Sequence, residues 1–73
     1  MPRLYRSAKD LEHWFVYLEG AGWLMFPAKI QGWADRRAVQ DLQRWELHEV
    51  PAWLAFGTGL LEAVAGRPLR KAA

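Results

Sequence analysis

A chain of 73 residues without cysteine has to be held together by side-chain packing alone, and its main resource for that is five Trp, two Tyr and three Phe. A domain near this length buries only about 60% of the surface its unfolded chain exposes, so its stability is marginal unless large side chains enlarge the core. One aromatic side chain can bury roughly 150–250 Å², which lets a few rings replace the disulfides or metals of other very small folds. Disulfide and thiolate-zinc frameworks are excluded, and the lack of cysteine accords with a reducing compartment. The segment Met1-Pro2-Arg3-Leu4-Tyr5-Arg6 is charged and has no apolar h-region behind it, so no export is expected and the cytoplasm is the expected location. The longest apolar stretch, Val50 to Ala65, runs 16 residues and is interrupted by Thr58 and Glu62. That is short of the ~20 needed to cross a bilayer, so a buried helix is expected there and no membrane partner.

Charge is unevenly laid out. Residues 1–9 carry Arg3, Arg6 and Lys9, residues 67–73 carry Arg67, Arg70 and Lys71, and neither stretch holds an acid, so each end is +3. Residues 10–66 set eight acids against Lys29, Arg36, Arg37 and Arg44, a body of −4 within the net +2. The chain reads as a single binding domain over 1–73 with a basic N-terminal arm (1–7) and a basic C-terminal tail (67–73).

Apolar spacing predicts a mainly α fold, a small three-helix domain with either a short β-hairpin or an irregular segment between helices 1 and 2. Ser7 suits an N-cap with Asp10 at N3, Leu11, Phe15 and Leu18 then share a stripe, and Gly20 is a natural stop, giving helix 1 over about 8–19. A competing arrangement makes Phe15-Val16-Tyr17-Leu18 and Trp23-Leu24-Met25-Phe26 a β-hairpin around Glu19-Gly20-Ala21-Gly22, since short aromatic-rich runs bounded by glycine also signal strands. Pro27 ends whatever precedes it. From Asp35, Ala38, Leu42 and Trp45 fall on one stripe and predict helix 2 over about 35–48. Pro51, Gly66 and Pro68 mark helix 3, with Gly57 and Gly59 a kink or close approach inside it. Trp14, Trp45 and Trp53 are expected in the core.

The catalytic inventory is thin. The single serine occupies a capping position, the single threonine, Thr58, lies between two glycines, and His13 and His48 lack the helical spacing of a metal pair. Gly20, Gly22, Gly57, Gly59 and Gly66 form neither a dinucleotide fingerprint nor a Walker loop. The expectation is a non-enzymatic protein with no catalytic residue, no cofactor and no metal.

What remains are surfaces. Arg3-Leu4-Tyr5-Arg6 alternates basic with apolar or aromatic residues, either as a docking arm or as a solvated terminus. Trp33, followed by Arg36 and Arg37, is tied to no stripe and is read either as an exposed anchor or as a plug beneath a loop. Trp, Tyr and Arg dominate binding hot spots, so the first expectation is a protein partner met through Arg3, Leu4, Tyr5, Arg6, Trp33, Arg36 and Arg37. A pI near 9.4 and two basic ends support nucleic-acid binding as the alternative, although no stretch carries the Arg, Lys, Asn and Gln run of a recognition helix.

In length, aromatic loading, sparse catalytic groups and basic N-terminal segment, the whole chain resembles the small phage-encoded regulators that bind host RNA polymerase. Within that group it is most similar to the type that attaches to the largest subunit, displaces the sigma factor and permits read-through of terminators. The resemblance implies an RNA polymerase inhibitor and antitermination factor, with Arg3, Leu4, Tyr5 and Arg6 touching the polymerase and Arg36 and Arg37 as further contacts.

Overall fold

Between Trp14 and Phe26 the members of the main apolar cluster alternate along each strand. Leu4, Trp14, Val16, Leu18, Leu24 and Phe26 all lie in one apolar cluster, as the period of two in an extended strand requires. A computed structural model describing residues 3–66 accordingly shows an antiparallel five-stranded sheet in the order β4-β3-β2-β1-β5. Its strands are β1 (Arg3–Ser7), β2 (Asp10–Leu18), β3 (Gly22–Pro27), β4 (Arg37–Ala38) and β5 (Leu47–Val50). The helical elements are short: 3-10 turns at Trp33–Asp35, Leu42–Trp45 and Ala52–Ala55, and one α-helix, α1 (Leu60–Ala65).

The mainly α, three-helix expectation is therefore overturned, and the protein is not helical in character. Helix 1 fails because its stripe mixed two faces of a strand: Leu18 points into the main cluster, Phe15 points the other way, and Leu11 is 70% exposed. The competing hairpin is what forms, with Val16 opposite Leu24 and Tyr17 opposite Trp23. Positive φ at Gly20 (85°) and Gly22 (80°) supplies the tight reversal. Ser7 keeps a local role of another kind, its Oγ accepting the Lys9 N–H at 3.0 Å inside the β1–β2 turn.

Helix 2 is broken by left-handed backbone at Asp41 (φ 54°) and Glu46 (φ 50°), which isolates one 3-10 turn between β4 and β5. Helix 3 is cut at Gly57 (φ 82°) and Gly59 (φ 89°), leaving the 3-10 turn Ala52–Ala55 and α1. Gly66 does end α1, its N–H donating to the Glu62 carbonyl at 2.9 Å.

The expected N-terminal arm is no arm either. Arg3–Ser7 is an interior strand, paired with β2 on one side (Leu4 opposite Val16) and with β5 on the other (Leu4 opposite Val50). Residues 67–73, the expected basic tail, lie outside the described residues.

One row crosses all five strands: Val50, Leu4, Val16, Leu24 and Ala38 stand side by side on one sheet face. On that face sit Ile30, Ala55 and, from α1, Leu60, Ala63 and Val64, with Trp33 half-buried at the margin. Each fully buried Leu, Val or Phe contributes about 1.5–3 kcal/mol, so this layer holds most of the stability. Among the described residues no helix is long and apolar enough to cross a membrane.

Candidate binding faces

The second sheet face is aromatic and cationic. Residues directly opposite each other on antiparallel strands share a face, so Glu49, Tyr5, Phe15, Met25 and Arg37 form one row, and Arg3, Tyr17 and Trp23 form the next. Phe15 is fully buried because the 3-10 turn Leu42–Trp45 folds over it, bringing the Trp45 ring to 5.5 Å between centroids. That turn is pinned by a hydrogen bond from the buried Ser7 Oγ to the Trp45 carbonyl, and the Arg44 guanidinium lies 4.9 Å from the Trp45 ring.

At the other end of the strands the rings are only partly covered, with Tyr5 and Trp23 half-buried and Tyr17 exposed. Tyr17 is 47% exposed, and Trp23 meets Tyr5 at 4.8 Å and Tyr17 at 5.4 Å, both inclined rather than stacked. The Tyr5–Trp23 pair is edge-to-face, an arrangement that contributes about 0.5–1.5 kcal/mol beyond area burial, and the Tyr17–Trp23 pair is tilted. Toward β4 the same face opens into a cleft of about 300 Å³ lined by His13, Met25, Pro27, Arg36 and Arg37 among others. His13 Nδ1 shares a 2.7 Å hydrogen bond with Asp10 Oδ2, which orients its ring there.

A second surface lies on the opposite layer. In the turn Ala52–Ala55, Ala55 is buried while Trp53 is 62% exposed and Phe56, one 3-10 turn later, is 69% exposed, with Leu54 beside them. Trp53 was expected in the core. It is outside because the Ala55 methyl is the group from this turn that enters the cluster, and Trp53 falls on the solvent side of the same short helix. Beyond Phe56 the surface dips into a depression of about 410 Å³ between Ile30, Gly32, Gly57, Gly59 and α1.

The sequence-predicted contact residues are thus distributed over both layers. Arg3, Tyr5 and Arg37 share the second sheet face, and Arg36 borders its cleft while lying 4.8 Å from the Trp33 ring. Leu4 is buried in the main cluster, and Trp33 packs at its edge, 6.0 Å from Phe26. Arg6 lies 4.3 Å over Trp14 and donates to the Leu11 carbonyl at 2.6 Å, so its guanidinium straps the β1–β2 hairpin. Tyr17, Trp53 and Phe56 are surface groups that the sequence does not single out, and Trp23, which the sequence leaves open between core and interface, is half-buried. Trp14-Phe15-Val16-Tyr17-Leu18 is apolar throughout, so no polar alternation distinguishes exposed Tyr17 from buried Phe15 on the same face, and no local pattern marks Trp53. No family model, curated protein or solved structure matches this chain.

Proposed function

We propose that this chain is a non-enzymatic regulator that docks on a larger protein through the knob Trp53-Leu54-Phe56. The observation that carries this reading is the outward projection of two large rings, 62% and 69% exposed, from a turn anchored by the buried Ala55. With roughly 150–250 Å² available per ring, the knob presents on the order of 300 Å² of apolar surface. At about 25 cal/mol per Å² its burial is worth roughly 7 kcal/mol before association costs, a reasonable core for a protein–protein hot spot. The one serine and the one threonine, the only aliphatic hydroxyls that could serve as nucleophiles, both make structural hydrogen bonds: Ser7 holds the Trp45 turn, and Thr58 Oγ1 donates to the Ala55 carbonyl at 2.6 Å.

The partner we propose is host RNA polymerase in the cytoplasm, on the strength of the chain's resemblance to small phage regulators of transcription initiation and termination. Action would be steric and competitive. The alternative of nucleic-acid binding through basic termini is weakened at the N-terminal end, where Arg3–Ser7 belongs to the sheet.

The test is capture of purified bacterial RNA polymerase by the tagged full chain, beside a Trp53→Ser/Phe56→Ser variant. Stoichiometric capture, lost in the variant at an unchanged melting temperature, is the expected result. No capture would remove the polymerase, and capture indifferent to the double substitution would remove the knob.

A further inference from the structure

We infer that the open part of the second sheet face is a binding site for single-stranded nucleic acid, running from Arg3 over Tyr17 and Trp23 to Arg37 and the cleft beside His13. The inference is independent of the knob, which lies on the other layer.

Three features of this face converge. First, it carries accessible ring surface: Tyr17, 47% exposed, stands next to the half-buried Trp23, and every nucleobase offers a π-face that such rings can stack on without regard to sequence. Second, arginines flank the rings on both sides. Arg3 is directly opposite Tyr17 in the register, Arg37 is in line with Met25 and Phe15, and Arg44 lies over the ring of Trp45. Against them stand Glu49, at the β5 end of the row, Asp35 beside the cleft, whose Oδ2 already accepts the Gln31 N–H at 2.8 Å, and, flanking the Trp45 turn, Asp41 and Glu46, the latter 3.6 Å from the Lys9 ammonium. Asp10 is engaged by His13. Third, the two guanidinium-bearing strands are separated by three strand spacings, about 14 Å. The rings of Tyr17 and Trp23 occupy the strands between, which is the alternation of cation, ring and cation that a sugar–phosphate chain with its bases turned inward requires. At the Arg37 end the cleft of about 300 Å³, with Met25, Pro27 and His13 in its wall, has room for one unstacked base.

A duplex does not suit this face. Its bases are already stacked on one another and present only edges, so rings between two arginines gain nothing from them. An acidic peptide would satisfy the arginines but leave the rings without π partners.

The experiment is a fluorescence-anisotropy titration of the full chain against a short fluorescein-labelled oligothymidylate at low and moderate salt. A duplex of matching length and polyglutamate serve as competitors, and intrinsic tryptophan fluorescence is followed in parallel. Binding of the single strand with quenching of tryptophan emission is expected, and neither competitor should displace it efficiently. Tyr17→Leu should weaken binding by roughly 5- to 100-fold, the range for loss of one stacking contact, while Tyr17→Phe, which keeps the ring, should restore it. Arg37→Ala should lower the salt slope by somewhat under one unit. Trp53→Ser/Phe56→Ser should leave the titration unchanged, so failure here and failure of the protein-docking reading are separable. Absence of oligonucleotide binding, equal competition by duplex or polyglutamate, or equal affinity of Tyr17→Leu and the parent chain would each overturn the assignment.

Discussion

Replacing Gly59 by alanine should be far more damaging than replacing Gly57, although both glycines have the same backbone handedness and stand two residues apart. Gly57 has φ 82° and Gly59 φ 89°, so an alanine at either carries the left-handed penalty of about 1–2 kcal/mol. A Cβ at Gly57 meets no atom within 4 Å. At Gly59 it would fall inside van der Waals contact with the Ile30 carbonyl oxygen, with the carbonyl carbon next at 3.4 Å. Those atoms are backbone, fastened by the Ile30 N–H donating to the Thr58 carbonyl at 3.2 Å, so they cannot swing aside as a flexible side chain would. Overpacking of this kind costs a further 1–3 kcal/mol or so, giving about 2–5 in all for Gly59→Ala against about 1–2 for Gly57→Ala. A chain of 73 residues has roughly 4–11 kcal/mol to lose, and each kcal/mol shifts its melting temperature by about 4–8 °C. Thermal melts followed by far-ultraviolet circular dichroism, with urea titrations alongside, should therefore place Gly59→Ala on the order of 10–30 °C below the parent and well below Gly57→Ala. Melting temperatures for the two variants within about 5 °C of each other would refute the close approach of the Ile30 loop to the start of α1.

Deleting residues 1–7 should leave a chain without cooperative unfolding in the same melts, because it removes the strand between β2 and β5. A shortened chain that melts like the parent would restore the dispensable arm. Leu11→Lys should change stability by no more than about 0.5 kcal/mol at its exposed strand position, while Phe15→Ala should cost about 3–5 kcal/mol, both read from urea midpoints. Comparable losses at the two sites would revive the helical stripe that paired them.

Local chemistry made several boundaries legible. Gly20 and Gly22 around a two-residue step, with Phe15–Leu18 before and Trp23–Phe26 after, carried the hairpin signal, and Gly66 marked the end of α1. The same stretch also satisfied a helix, because Leu11, Phe15 and Leu18 fall at helical spacing by coincidence, and nothing local says which period will be buried. The residues 35–48 misled for a similar reason. Their stripe is helical in spacing, yet the backbone reverses at Asp41, a residue type that tolerates the left-handed region, and again at Glu46, which has no such local preference. At the candidate faces, Arg3, Tyr5, Arg36 and Arg37 were singled out by residue type, while Leu4 was singled out with them and is core.

By itself, the order of amino acids determined that no disulfide holds these 73 residues, that rings must supply much of their packing, and that the chain breaks at Gly20 and at Gly66. Tertiary structure alone decided that Arg3–Ser7 is an interior strand, since its second partner, β5, arrives from more than forty residues away, as Leu4 opposite Val50 requires. It also decided that Trp14 is buried while Trp53 faces solvent, and that Arg3 and Arg37 share a surface. The physical reason is the same in each case: hydrogen-bonded register and burial are set by partners distant in sequence, and a local window contains the preference of a residue but not the neighbour that will satisfy it.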